Sequence, residues 1–363
     1  LLQITHDLDL GGLQQVVYQL CRAIDRDRFD VSVLCLRERG RFAPDVEALG
    51  VPVHLLDQEP GGVDYFAFRK VARMLKALSI DAIHTHNTQP FIDGTMGAFL
   101  AGVHTIVHTD HARAFPDKTR YMVAEWAMSQ LAYKVVACSE HTAQQLRRYE
   151  KISPAKLVTI PNGIDGSKFE VTIDRGAMCR ELGITRTGPI IGLAVRLSEQ
   201  KGITYLLQAM PAILQQHPDT TLIIAGEGEL KEALQTEAAE RGVAANVIFC
   251  GARKDIPQLV KLLDVYVLPS IWEGLPMVIL EAMASGCPVV ATDVGGTSTA
   301  VVQGETGELV KPADPALLAL AIIKLLDSPQ LRQQYAVRAR ALFASRFTAE
   351  AMTRQYERLY LRQ

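Results

Sequence analysis

The sequence predicts an α/β protein made of two doubly wound, parallel-sheet domains of Rossmann-like type. Three observations carry that expectation. Short apolar runs, many of them β-branched, alternate with longer stretches whose apolar residues recur at helical spacing along the whole chain. The runs are unbroken by polar residues and bounded by Gly, Pro, Asp or Asn, as strands buried on both faces of a helix-covered parallel sheet should be. The 363 residues also exceed what one hydrophobic core usually holds, which divides the alternation between two domains.

In chain order, the first series of strands is expected at 1–5, 31–36, 82–86, 105–109, 134–138 and 156–160. The turn-forming cluster Pro161-Asn162-Gly163-Ile164-Asp165 closes this series and sets a first domain of residues 1–165. A polar stretch leads to a second series at 189–195, 221–225, 246–250, 265–268, 288–291 and 307–310, within a domain of residues 166–345. Helical patterns at 202–216, 229–241 and 315–327 separate these strands. The tail, 346–363, places Phe347, Met352, Tyr356 and Tyr360 near helical spacing and is expected to pack back onto the first domain.

Composition narrows the function. Apolar residues make up 48% and charged residues 21%, a globular balance. With 38 basic against 40 acidic residues there is no basic footprint for nucleic acid. Six cysteines lie far apart without a CxxC pair, which reads as reduced thiols in a cytoplasmic protein and not as a disulfide framework or zinc site. No apolar stretch reaches spanning length. The chain opens directly on a strand pattern, without a charged-then-apolar signal segment, and is expected to continue upstream.

Ligands of parallel α/β domains collect beyond the carboxyl ends of the strands, so the residues just past each strand are the candidates. After the first strand comes Asp7-Leu-Asp9-Leu-Gly11-Gly12, whose paired glycines let backbone approach a phosphate or sugar hydroxyl at a helix start. The same residues also read as a tight turn, and Asp7 with Asp9 spells D-x-D, a metal-nucleotide signature. After the strand at 189–195 stand Arg196 and Lys201, followed by Gly202, two cations able to converge on a diphosphate without metal. The strongest motif follows the strand at 265–268: Pro269-Ser270-Ile-Trp-Glu273-Gly274-Leu275-Pro276-Met277, continuing to Glu281. Pro276 suits the first turn of a helix. Two carboxylates around that helix start can hold sugar and ribose hydroxyls while free amides hold phosphate oxygens.

Histidines complete the set. His84 and His108 lie within strand ends and read as satisfied structural groups, whereas His86 and His111 fall further past their strands. No Cys or carboxylate cluster completes a metal site around them. Ala225-Gly226-Glu227-Gly228 lacks the third glycine of a dinucleotide fingerprint and reads as a strand-end turn.

Together these residues resemble the GT-B fold, in which two Rossmann-like domains face each other across a cleft, and specifically the retaining glycosyltransferases of family 4. The resemblance is carried by the early Gly-Gly loop, Pro161-Asn-Gly-Ile-Asp165, Arg196 with Lys201-Gly202, Ala225-Gly-Glu-Gly228, Glu273-Gly-Leu-Pro with Glu281, and Cys287-Pro-Val-Val-Ala-Thr-Asp-Val-Gly-Gly296. It covers nearly the whole chain. It implies that Arg196 and Lys201 stabilise a leaving diphosphate and that Glu281 holds the nucleotide ribose. Glu273 and His111 would contact the donor sugar, the former beside backbone amides of Gly274, Leu275, Pro276 and Met277. Gly11, Gly12, Gly295 and Gly296 would lie near the donor. It further implies a UDP- or GDP-sugar as substrate, a glycan or lipid-linked acceptor, same-face substitution, and no cofactor or metal.

Two positions depart from the family's pattern: Gln14 and Thr299 stand where Glu is common. Gln14, His86 and Arg113 are the acceptor-side candidates. Arg69, Lys70, Arg73 and Lys76 beside Tyr65, Phe66 and Phe68 form either a solvated helix or a basic, aromatic-flanked face for peripheral contact with anionic membrane, and the loop 113–120 is also basic. The competing functions are a GT-B nucleotide-sugar epimerase, which needs no acceptor, and a non-catalytic sugar-binding protein.

Overall fold

The computed structural model describes residues 1–9, 11–56, 64–111 and 115–363. The chain divides into two compact units, Leu1–Ile164 with Thr348–Gln363, and Asp165–Phe347. The return to the first unit falls at Thr348, two residues past the expected tail boundary of 346.

In the first unit the strands are β1 (Leu2–Thr5), β2 (Ser32–Cys35), β3 (Val53–Leu55), β4 (Ala82–His86), β5 (Thr105–Asp110), β6 (Lys134–Ala137) and β7 (Leu157–Thr159). They form one sheet in the order β3-β2-β1-β4-β5-β6-β7, and every pairing is parallel. Its helices are α1 (Gly12–Ala23), α2 (Ala43–Ala48), α3 (Ala67–Ala77), α4 (Thr88–Ala101), α5 (Thr119–Leu131) and α6 (Glu140–Tyr149). Strands β1 and β4 are buried at every position, which is why their sequence is continuous and not alternating. The short edge strand β3 is absent from the sequence expectation, because three residues with outward-facing Leu55 leave too little apolar pattern.

The second unit contains α7 (Arg175–Glu181), β8 (Ile190–Ala194), α8 (Ile203–Gln216), β9 (Thr221–Ala225), α9 (Lys231–Glu240), β10 (Val247–Gly251), α10 (Ile256–Leu262), β11 (Val265–Leu268) and α11 (Met277–Ser285). After these come β12 (Val289–Thr292), α12 (Thr297–Ala300), β13 (Gly307–Val310), α13 (Pro315–Asp327) and α14 (Pro329–Arg346). The sheet is again fully parallel, in the order β10-β9-β8-β11-β12-β13. The strand order reverses between β1 and β4 in one unit and between β8 and β11 in the other. Loops on the two sides of such a reversal diverge and leave a crevice at the carboxyl edge.

The last helix, α15 (Ala349–Tyr360), belongs to the first unit. Ile164 pairs with Thr348, and the Ala349 amide donates to the Ile164 carbonyl at 2.9 Å. On α15, Glu350 meets Arg22 of α1 at 3.0 Å, and Glu357 accepts from the Asp25 amide at 2.9 Å. Its Tyr356 and Tyr360 are buried against the first sheet. All six cysteines are free thiols; Cys21, Cys35, Cys138 and Cys287 are buried, and Cys179 and Cys250 half-buried.

Candidate active site

In the second unit the site residues follow the two strands that flank the reversal. The loop after β8 carries Arg196 to Gly202, and the loop after β11 carries Pro269 to Pro276. The two are laced together. The Ile271 amide donates to the Gln200 carbonyl at 2.8 Å, and the Gln200 side chain donates to the Trp272 carbonyl at 3.0 Å. Gly202 sits at φ +58°, and a Cβ there would lie 2.2 Å from the Pro269 carbonyl oxygen, so only glycine permits the two loops to touch.

The centre of this crossing is an ion pair. Lys201 Nζ donates to Glu273 Oε1 at 2.6 Å, with side-chain exposures of 16% and 4%, so water screens the pair little. Ser270 Oγ donates to the same carboxylate oxygen at 2.7 Å, and Thr292 Oγ1 in turn donates to the Ser270 carbonyl at 2.5 Å. Ser270 is fully buried; sequence reasoning quoted it within the motif but gave it no role.

Arg196 does not join this pair. Its side chain is 76% exposed and reaches Glu229 Oε2 at 3.5 Å, sharing no partner with Lys201. The two cations are thus held by different carboxylates. The reason is local: β8 has ended, and the Leu197 amide is tied to the Glu227 carbonyl at 2.9 Å, which turns Arg196 outward toward the loop after β9. That loop packs closely because Gly226 and Gly228 lack Cβ atoms, which would otherwise lie 1.9 and 2.2 Å from the Val195 and Leu197 carbonyl oxygens. Ala225-Gly-Glu-Gly228 is thus a strand-end turn.

Helix α11 starts at Met277, with Pro276 as the residue before it in extended conformation, not in the first turn as the sequence suggested. No side chain caps this start of the nine-residue helix, and within its first turn the Ile279 amide donates to the Pro276 carbonyl at 3.1 Å. Gly274, Leu275, Pro276 and Met277 are buried, as is Glu281 one turn into the helix. A third loop closes over them: the Gly296 amide donates to the Gly274 carbonyl at 2.5 Å. Gly295 adopts φ +56°, where a Cβ would fall 1.7 Å from the Glu273 carbonyl oxygen. Thr299 lies in the short α12 that follows. One ion pair, a buried carboxylate and an uncapped helix start are therefore gathered at one sheet edge, a set suited to phosphate and hydroxyl groups together.

The first unit brings together a different chemistry. Asp7 Oδ1 accepts from the Asp9 amide at 2.9 Å and from Gln14 Nε2 at 2.8 Å, and Oδ2 contacts His6 Nδ1 at 3.0 Å. Burial raises the Asp7 carboxyl, but these donors outweigh it and hold the group below the usual carboxylate range. Asp9 instead pairs with Arg41 at 3.5 Å. The D-x-D pair is thus turned to bracing the loop, and Gln14 is held within it. Gly11 and Gly12 are exposed at the start of α1, which no side chain caps.

His84 and His108 are buried and satisfied. His84 contacts Tyr360 and Thr109 at 2.8 and 2.7 Å, and His108 stacks on Phe91 at 3.7 Å. His86 departs from expectation. It is the last residue of β4, fully buried, with Nδ1 against His111 Nε2 at 3.1 Å and Nε2 against Gln3 Oε1 at 2.9 Å. Both nitrogens are engaged, so it stands behind His111 and is not itself a surface for acceptor. His111 is 7% exposed, and burial lowers its imidazole to about 4. Arg113 lies outside the described residues. On α3, the Arg69 guanidinium covers the Phe66 ring at 4.7 Å, while Lys70 pairs with Asp64 at 3.0 Å.

Two Rossmann-type units with these loops define a protein of the GT-B glycosyltransferase class. The family model for glycosyl transferases group 1 matches residues 174–342, and that for glycosyltransferase family 4 matches residues 10–168. A D-inositol 3-phosphate glycosyltransferase of Acidothermus cellulolyticus is 30% identical over 377 residues, 93% of this chain and 83% of that protein. The UDP-Gal:alpha-D-GlcNAc-diphosphoundecaprenol alpha-1,3-galactosyltransferase of Escherichia coli is 29% identical over 336 residues, 89% of this chain and 86% of that one. In fold, Anabaena HepE, solved with UDP, superposes with a TM-score of 0.89 over 100% of this chain and 99% of its own, at 24% identity. The chain belongs to the group 1, family 4 glycosyltransferases, and its activity is glycosyl transfer.

Proposed function

We propose that this enzyme moves a hexose from a nucleoside-diphosphate sugar to a glycan or lipid-linked acceptor, with retention of anomeric configuration and without a metal ion. The observation that carries the reading is the buried Lys201–Glu273 pair beside the uncapped start of α11. Cleavage of the glycosidic bond leaves negative charge on a diphosphate. Lys201 and the α11 amides stabilise that charge as it develops, and Arg196 joins by leaving its exposed partner Glu229. Glu281 takes the ribose hydroxyls. Glu273, already accepting from Lys201 and Ser270, is a poor covalent nucleophile and serves as a hydroxyl acceptor, which favours same-face attack with a phosphate oxygen receiving the acceptor's proton.

UDP is the preferred nucleotide of the two considered, supported by the UDP-Gal donor in the name of the E. coli relative; the diphosphoundecaprenol in that name supports a lipid-linked acceptor. No described helix is long and apolar enough to cross a membrane. Contact with an anionic cytoplasmic surface would then use exposed Tyr65 and Phe66 beside Arg69, Arg73 and Lys76.

The test pairs binding with turnover. UDP at 100 times its Kd should stabilise the protein by about 2.7 kcal/mol in thermal denaturation, and GDP and ADP at equal concentration by less. With UDP-hexose and an undecaprenyl-diphosphate-linked sugar, the products should be a new α-glycoside and UDP. An inverted product would overturn retention, and an epimerised nucleotide sugar without glycoside would establish the epimerase instead.

A further inference from the structure

Six hydrogen bonds link α15 to His111 through the interior of the first unit. Tyr356 Oη meets Thr109 Oγ1 at 2.9 Å, Thr109 Oγ1 meets His84 Nε2 at 2.7 Å, and His84 Nδ1 meets Tyr360 Oη at 2.8 Å. From there Gln3 Nε2 contacts Tyr360 Oη at 3.3 Å, Gln3 Oε1 contacts His86 Nε2 at 2.9 Å, and His86 Nδ1 contacts His111 Nε2 at 3.1 Å. All seven side chains are buried.

A neutral imidazole carries one N–H and one bare nitrogen, so each histidine passes the donor direction on to the next. From His84 to His111 only two patterns satisfy every group, one the reverse of the other. Tyr360 decides between them. A phenol is a stronger donor than an imidazole N–H, and a bare imidazole nitrogen a stronger acceptor than a phenol oxygen. The 2.8 Å contact to His84 is the length of an O–H donor bond, while 3.3 Å to Gln3 is too long for one and fits an amide N–H. The single Tyr360 proton therefore goes to His84 Nδ1, and its oxygen accepts from the Gln3 amide. That leaves the Gln3 carbonyl facing His86, which must donate from Nε2 and accept at Nδ1. His111 then donates from Nε2.

We propose that Tyr360, acting through Gln3 and His86, positions His111 as the Nε2–H tautomer, so that Nδ1 is left a bare acceptor, the form suited to a sugar hydroxyl. Nothing among the described residues hydrogen-bonds His111 Nδ1. The opposite tautomer would present an N–H able to serve phosphate, ring oxygen or hydroxyl alike, whereas the bare nitrogen selects a group that brings its own proton. Burial lowers His84, His86 and His111 and raises Tyr360, which keeps the imidazoles neutral and the phenol protonated near pH 7. Tyr360, Gln3 and His86 are positioning residues. The tautomer follows from the hydrogen-bond lengths and the neutral imidazoles; that its partner is a sugar hydroxyl rests on the function proposed above.

The experiment reads the ring nitrogens of His111 by 15N NMR in the ligand-free full chain at pH 7, assigned with His111→Gln. Nε2 should resonate as a protonated nitrogen and Nδ1 as a bare one. Tyr360→Phe should move both toward averaged values and lower kcat/KM about tenfold. A wild-type His111 protonated at Nδ1 overturns the proposal, whether or not Tyr360→Phe folds, and so does a folded Tyr360→Phe with unchanged ring shifts. The spectrum needs no substrate: the expected shifts in a protein that transfers no sugar would defeat the functional reading alone, and reversed shifts in an active enzyme would defeat this one alone.

Discussion

At the scale of single residues, the Lys201–Glu273 pair sets what substitution costs. Lys201→Ala removes the cation from a carboxylate that is 4% exposed, so the loss is double: transition-state charge goes unbalanced, and Glu273 is left buried without its partner. We expect transfer to fall about 10²–10³-fold, together with a stability loss of about 3 kcal/mol, separable by measuring kcat on the folded fraction. Glu281→Ala should also lower transfer; full turnover in both purified variants would remove these residues from the mechanism. Ser270→Ala is subtler. It deletes one of two donors to Glu273 Oε1, about 1 kcal/mol, and should lower kcat/KM about fivefold. A value equal to wild type would mean that Lys201 alone holds the carboxylate. Lys201 and Glu273 were each readable from their place after a strand. Their pairing was not, because 72 residues separate them and nothing in local spacing reports a contact. The Gln3–His86–His111–Tyr360 chain was invisible for the same reason, since it joins residues of β1, β4 and the end of β5 to the last helix.

At the scale of elements, the loops are held by glycines whose missing side chains are the contact. Gly295 at φ +56° lies where a Cβ would meet the Glu273 carbonyl oxygen at 1.7 Å. Gly304, at φ +73°, has nothing within 4 Å of the same added atom. Both alanine variants carry the left-handed backbone penalty of about 1 kcal/mol, but only Gly295→Ala must also push the Glu273 backbone aside. It should lose at least tenfold in kcat/KM and unfold at distinctly lower urea, while Gly304→Ala keeps its activity; equal activity in the pair would mean that the third loop does not hold Glu273. The elements themselves were largely legible, because strands buried on both faces leave continuous apolar runs that survive without tertiary context. What escaped was short or depended on its surroundings. Strand β3 is three residues at a sheet edge, His86 proved to end its strand inside the core, and Arg196 turned outward under the backbone tie between Leu197 and Glu227.

At the scale of the whole molecule, the two units differ in what acid should do to them. The first unit holds His84, His86 and His111, all buried, each lowered by desolvation, with His111 at about 4. The only histidine of the second unit is His217, half-buried beside Asp327. In an unfolded chain these imidazoles take up protons near 6.5. Their folded values are depressed, so between 6.5 and about 4 the unfolded state binds more protons, and stability falls as pH falls. Each histidine contributes about 1.4 kcal/mol per pH unit once below its unfolded value, so three in one unit give a slope near 4 kcal/mol per unit. The carboxylates held low by their partners, Asp7, Asp64, Asp255 and Glu308, add their own losses only further down, as pH falls below the ordinary carboxylate range. Acid should therefore open the first unit before the second. Hydrogen-exchange protection factors compared at pH 7 and pH 5 should drop for β1, β4 and β5 while β8 and β9 hold theirs, and His86→Asn should flatten the pH dependence in the first unit alone. Simultaneous loss in both units, or loss beginning in the second, would mean that the buried imidazoles do not govern the acid response.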